Sequence, residues 1–138
     1  MIRFLADTSA WTRSATRRAI AVRWATMLDH GELAICTPVA LEMLYTARNP
    51  ADYANRADQL SGLPSLPLDE RASQLAEHAQ AMLAGRSQYR GPRPIDLLIA
   101  AIAEAHGAIL LHYDRHFDLI RRVTGQPMEW LARRGSLD

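Results

Sequence analysis

Residues 95–114 read IDLLIAAIAEAHGAILLHYD, and this stretch decides the fold. From Ile95 to His106 apolar residues occupy every face of a helix, a pattern that only a buried helix tolerates. Gly107 supplies the stop. Ala108 to Tyr113 is then a continuous apolar run, short enough for a central parallel strand covered on both faces. A buried helix that turns directly into a buried strand predicts an alternating α/β layout. Asp114 follows the strand at once.

Working outward, Arg115 to Thr124 reads as a last helix, and Pro127 to Leu131 as a short final segment. Upstream, Gly85 to Pro94 is polar and basic and carries Gly91, Pro92 and Pro94, which predicts a loop. Asp69 caps a helix whose Ala72, Leu75, Ala76, Ala79, Met82 and Leu83 follow helical spacing. Leu63 to Leu68, interrupted by Pro64 and Pro67, is expected to be an edge strand or an extended link. Ala51 to Leu60 looks helical after the Asn49-Pro50 break. Thr37-Pro38 opens a helix through Val39, Leu41, Met43, Leu44 and Tyr45, with Glu42 inside its apolar run. Leu33 to Cys36 is a short strand, and Arg17 to Asp29 an amphipathic helix stopped at Gly31. Ile2 to Ala6 forms a first strand that ends at the cap-forming cluster Asp7-Thr8-Ser9. With no repeat, low-complexity segment or boundary, residues 1–138 are expected to form a single domain.

Composition narrows the chemistry. All 16 basic residues are arginine, and the absence of lysine excludes a P-loop, a Schiff-base enzyme and a receiver domain. The missing lysine, with abundant alanine, also fits a simple bias of genomic base composition. One cysteine, Cys36, excludes an intrachain disulfide and any thiolate cluster. No apolar run reaches membrane-spanning length, and a carboxylate as early as Asp7 leaves no room for a signal peptide. A soluble, cytoplasmic protein is the expectation. The formal net charge of +1 neither demands nor forbids a nucleic-acid partner.

The carboxylates carry the functional argument. Asp7 and Asp114 each close a predicted strand, and in parallel α/β sheets the carboxyl ends of the strands form the binding crevice. Asp96 stands in the first turn of the buried helix, and Glu42 is flanked by core formers. An anion in such surroundings must find a cation, a metal or a proton. Taken singly, the three aspartates read as helix caps and Glu42 as the partner of a surface arginine. Taken together they also suggest an all-oxygen site for a hard cation, Mg²⁺ or Mn²⁺.

The segments LADTSAW at 5–11, TPVALEMLYTAR at 37–48, RPIDLLIAAIAEAHGAILLHYDRHFDLI at 93–120 and PMEW at 127–130 resemble PIN-domain ribonucleases, in particular VapC-type toxins of bacterial toxin–antitoxin pairs. The resemblance implies a three-layer α/β/α fold around a parallel, roughly five-stranded sheet, with helices covering both faces. It implies metal-dependent endoribonuclease cleavage of structured RNA (tRNA, rRNA or mRNA), a cognate VapB-like antitoxin as partner, and homodimers. Carried over by position, Asp7, Glu42, Asp96 and Asp114 look like the catalytic, metal-binding quartet, with Thr8 an auxiliary hydroxyl. The family often has a further acid two residues after the Asp114 position. Here that residue is His116, for which Asp118 is a partial substitute.

Arg86, Arg90 and Arg93 precede Asp96 and suit either RNA phosphates or a solvated loop. The His112-Tyr113-Asp114-Arg115-His116 pattern invites a zinc reading, but one histidine belongs to a strand and the other to a helix, so both are expected to stand aside from the metal. Trp11, Trp24 and Tyr45 suit base stacking or, more commonly, the core. Two further classes compete with a nuclease. One is a catalytically silent PIN-like module that binds RNA or protein. The other is a small-molecule phosphatase, against which the absence of any Asp-x-Asp pair speaks.

Overall fold

The apolar run after Gly107 forms a strand at the centre of the sheet, and the rest of the fold is arranged around it. The computed structural model describes residues 1–138. The elements in chain order are β1 (Phe4–Ala6), α1 (Thr8–Trp11), α2 (Arg18–Asp29), β2 (Leu33–Ala34), α3 (Thr37–Tyr45), α4 (Pro50–Ser61), α5 (Glu70–Gly85), α6 (Pro94–Ala105), β3 (Ile109–His112), α7 (His116–Thr124) and β4 (Met128–Trp130). The strands are parallel and lie in the order β2-β1-β3-β4. Leu5 stands beside Leu110, and Leu111 beside Glu129 of β4. Gly107 ends the α6 segment with φ +68°, a conformation an L side chain rarely adopts, and this allows the abrupt turn into β3.

Period-two alternation divides the strands between two cores. Leu5 and Leu110 point to the larger one, with Ile99 and Ile102 of α6, Leu83 of α5 and Phe117 and Ile120 of α7. Phe4, Ala6 and Leu111 point to the other, with Trp24 and Met27 of α2. The result is the expected three-layer α/β/α arrangement, and α6 is buried as its sequence requires. No helix is long and apolar enough to cross a membrane.

The sheet has four strands, not roughly five. The stretch Leu63 to Leu68 supplies one parallel bridge, Ser65 to Ile35, held by Ile35 N–H to Pro64 O at 2.8 Å and Leu66 N–H to Ile35 O at 2.9 Å. Pro64 and Pro67 bring no N–H to a ladder, so the edge goes no further. Expected and observed helix ends otherwise agree to within a residue or so, the uncertainty that fraying imposes.

A central position for β3 has a measurable consequence. Leu110 is fully buried, and Leu110→Ala is expected to cost about 2–5 kcal/mol, lowering the urea midpoint with the m-value unchanged. A loss below about 1 kcal/mol would contradict a two-faced core at this strand.

Candidate active site

Because β1 and β3 are parallel neighbours, the residues that leave them emerge on the same edge. Asp7 N–H extends the ladder to Leu111 O at 2.9 Å, and Ser9 Oγ accepts from Tyr113 N–H at 2.9 Å, which ties the two strand ends together. Asp7 caps α1 with one oxygen, Oδ2, which accepts from Ser9 N–H at 2.9 Å. Its other oxygen, Oδ1, is buried without a hydrogen-bond partner. Burial, aided by the nearby charges of Asp96 and Glu42 and opposed by Ser9, pushes the Asp7 carboxyl up to about 6.

Asp96 reaches the same edge because α6 runs against β3, so its first turn lies where β3 ends. Its side chain is 1% exposed. Asp96 Oδ2 accepts from Arg93 N–H at 2.9 Å, closing the helix start, while Oδ1 receives the Arg93 guanidinium at 3.1 Å. Desolvation nonetheless keeps this carboxyl above the ordinary range, with Asp114 adding to the effect and Arg93 opposing it. Glu42, on the second turn of α3, accepts from Thr8 Oγ1–H at 2.7 Å and from Arg93 at 3.1 Å. Thr8, Glu42, Arg93 and Asp96 thus form one connected chain of contacts, beside which Asp7 lies.

Asp114 closes the far side. Its Oδ1 accepts from His116 N–H at 2.9 Å and lies 3.1 Å from His116 Nδ1. No three Asp, Glu, His or Cys side chains converge tightly enough here to close around an ion, since Arg93 spans Glu42 and Asp96. Arg93 is therefore the counter-charge of the acidic group, although its side chain is still 62% exposed. Arg86 and Arg90 remain on the exposed loop, with Arg90 over the Tyr89 ring at 5.6 Å.

Asp118 points elsewhere: its carboxylate accepts from Trp130 Nε1–H at 3.1 Å and lies 3.7 Å from Arg134. His112 is a core residue packed between Phe117 and Trp130. Burial drives its pKa down to about 4, so the ring is neutral at pH 7. His116 is half-exposed and touches Asp114, closer to the acids than its helical position suggested. Trp11 packs edge-on against Trp24 at 4.8 Å, whereas Tyr45 is exposed on α3, so the three form no stripe. Burial pushes the Cys36 thiol up to about 11, which leaves it a poor nucleophile. The sequence reading overlooked the latching hydroxyl of Ser9 and the bridging role of Arg93. Asp96 three residues after Arg93 was the available sign of the second.

The raised Asp7 pKa predicts a pH-dependent stability in chelator. An acid that binds its proton more tightly in the native state loses stability as pH rises from about 4 through about 6. His112, with its native pKa lowered, has the opposite sign and loses stability as pH falls below about 6.5. The difference between wild type and Asp7→Asn isolates the first effect. Asp7→Asn is expected to be the more stable above pH 7, by up to about 3 kcal/mol in urea titrations, and to lose that advantage near pH 4. A difference that does not vary with pH would refute a strained carboxylate at Asp7.

Comparison with known proteins agrees with this geometry. Residues 4–123 match the PIN domain family model. Ribonuclease VapC18 of Mycobacterium tuberculosis is 40% identical, covering 97% of this chain and 98% of its own length. Ribonuclease VapC51 of the same organism is 38% identical, covering 99% and 98%. In fold, the chain is similar to a chain of DNA-bound VapBC from Salmonella typhimurium (TM-score 0.74, 22% identity, 96% of this chain and 100% of that one). It is likewise similar to a chain of VapBC2 from Rickettsia felis bound to a promoter DNA fragment (TM-score 0.76, 18% identity, 94% and 98%). A family model matched over most of its length and relatives aligned nearly end to end mean that the chain belongs to the PIN-domain family, among the VapC ribonucleases.

Proposed function

We propose that this chain is a single-domain, metal-dependent endoribonuclease toxin of the cytoplasm, working through Asp7, Glu42, Asp96 and Asp114 and held in check by a cognate antitoxin. The observation that carries the proposal is the buried Asp7 Oδ1, a carboxylate oxygen with no partner, in a chain 40% identical to a ribonuclease. An oxygen-only set of donors around such an orphan fits a hard divalent cation. Asp7, Glu42, Asp96 and Asp114 would hold Mg²⁺ or Mn²⁺, which when bound would supply a water activated for attack on phosphorus and charge stabilisation at the phosphoryl oxygens.

The chain's own residues do the rest. Thr8 fixes the Glu42 carboxylate through its hydroxyl, and the α6 start fixes Asp96 through the Arg93 backbone. Asp7 must give up its proton to act as a ligand, and a pKa of about 6 sets that step just below neutrality. His112 is neutral and buried, which removes it as acid or base and disfavours attack by the ribose 2′-hydroxyl. The expected products are a 5′-phosphate and a 3′-hydroxyl, with tRNA, rRNA or mRNA as substrate. Relatives in VapBC complexes support an antitoxin partner, and the exposed Leu41, Tyr45 and Tyr53 on α3 and α4 offer apolar surface to it or to a second copy of the chain. A catalytically silent binding module would give no reason to keep four carboxylates at one edge.

Three measurements test this. Asp96→Asn is expected to stay folded yet to lose RNA cleavage and toxicity by at least about 100-fold. Mg²⁺ or Mn²⁺ is expected to raise the melting temperature of the wild type, with chelation stopping cleavage and His116→Ala leaving the metal response intact. An RNA with one 2′-deoxy nucleotide at the cleaved position should still be cut, leaving ends that ligase accepts. Resistance of that substrate, with cyclic phosphate ends on unmodified RNA, would overturn the mechanism.

A further inference from the structure

A line of arginines that the sequence does not single out starts at the edge that carries the acids and runs away from it along α7. Two surface grooves adjoin there. One, of about 460 Å³, runs beside Asp114 between Arg13, Tyr113, Arg115, Trp130 and Arg134, with the Asp138 carboxylate also in its wall. The other, of about 310 Å³, is walled by Gly91, His116 and Leu119 together with Arg115, Arg122 and Arg134, against the single carboxylate Asp118. Arg115 and Arg134 belong to both, so the grooves form one path that begins at Asp114 and leads away from it over α7. A third hollow, lined by Arg121 and Arg122 with Asp118 again, continues it.

Carboxylates hardly engage these arginines. Arg115, Arg121 and Arg122 take part in none of the ion pairs of the structure, and Arg134 reaches only Asp118, at 3.7 Å. Helix electrostatics accounts for Arg121 and Arg122, which sit in the last turn of α7 where a cation is favoured. It does not account for Arg115, which stands at the N-cap of the same helix, where the dipole disfavours a cation. In the first groove the Arg13 guanidinium lies over the Tyr113 ring at 4.7 Å and that of Arg134 over the Trp130 ring at 5.9 Å.

We propose that Arg115, Arg122 and Arg134 form a phosphate track that guides an RNA backbone to the acidic site, with Arg13 and Arg134 offering planes for unstacked bases. This rests on the ribonuclease reading above and adds the residues that hold its substrate. The physical need is clear: four carboxylates repel a polyanion, so the attraction that brings RNA to them must come from beside them. Guanidinium forks suit the task because they grip phosphate oxygens two at a time without reading the base.

The test is RNA binding without cleavage. The full chain in EDTA is titrated into a fluorescein-labelled RNA stem–loop across a KCl series, followed by anisotropy. Arg115→Gln with Arg122→Gln is expected to weaken binding about tenfold or more and to lower the slope of log K against log[salt] by about 1.4 for single-strand contacts or about 1.8 for duplex contacts. Arg3→Gln with Arg71→Gln removes equal charge from the opposite edge of the sheet and is expected to leave affinity and slope close to wild type. Arg115→Lys with Arg122→Lys keeps the charge and is expected to restore the slope, which separates lost contacts from a damaged fold. Unchanged binding by the first pair, or an equal loss in the opposite-edge pair, overturns the track. Cleavage assays with Mn²⁺ separate the two readings: intact cleavage with an unchanged slope fails the track alone, and a lowered slope in a protein that never cleaves fails the nuclease reading alone.

Discussion

A parallel sheet covered on both faces has only its ends left for polar chemistry. In this chain that constraint acts through β1 and β3, whose side chains are divided between two apolar cores and whose carboxyl ends are joined by Ser9 and Tyr113. Everything that must meet solvent or a substrate leaves from this edge. The helices obey the same rule, because each connection returns antiparallel to its strand: α6 starts where β3 ends, and α3 starts where β2 ends. Residues as far apart in sequence as Asp7, Glu42, Asp96 and Asp114 are gathered by topology, not by any local motif.

Once gathered, the acids show that a capping carboxylate still has an oxygen to place elsewhere. A carboxylate has two oxygens, and here they divide the work. Asp7 caps α1 with Oδ2 and leaves Oδ1 unpaired. Asp96 closes the start of α6 with Oδ2 and meets Arg93 with Oδ1. Asp114 engages the start of α7 with Oδ1. The caps hold each carboxylate rigidly, so the remaining oxygens are preorganised and need not be ordered again on binding. Burial has a cost, visible in the raised pKa values of Asp7 and Asp96, which the capping hydrogen bonds, and at Asp96 the Arg93 charge, offset in part.

Much of this was legible in the sequence because it follows from patterns of short range or strong periodicity. The all-round apolar α6, its Gly107 stop and the apolar β3 left little choice of fold, and the acids placed after strands and in first turns were legible for the same reason. What the sequence left open lies where partners are distant. Whether Leu63 to Leu68 makes a full strand depends on how many N–H groups face Ile35, and the two prolines settle that only when the register is known. Arg93 suited RNA phosphates or a solvated loop equally well, and nothing local showed that the geometry of α6 would bring its guanidinium onto Glu42, 51 residues away. Asp118 was weighed as a substitute acid, yet Trp130 on β4 draws it to the other side of α7.

Charge is where sequence and structure differ most. A formal net charge of +1 describes a nearly neutral chain, but the sum conceals a separation. Asp7 and Asp96 are withdrawn behind caps and Arg93, while Arg115 stands unpaired on the surface beside Asp114, and Arg121 and Arg122 lie farther along α7. At Arg93 a single guanidinium nitrogen, Nη2, lies 3.1 Å from each of two carboxylates, Glu42 and Asp96. The separation also orders the forces acting on an approaching polyanion. At long range it meets the arginines, whose field extends about 8–10 Å at physiological salt. The buried acids act on it only at contact, where a counter-charge already shields them.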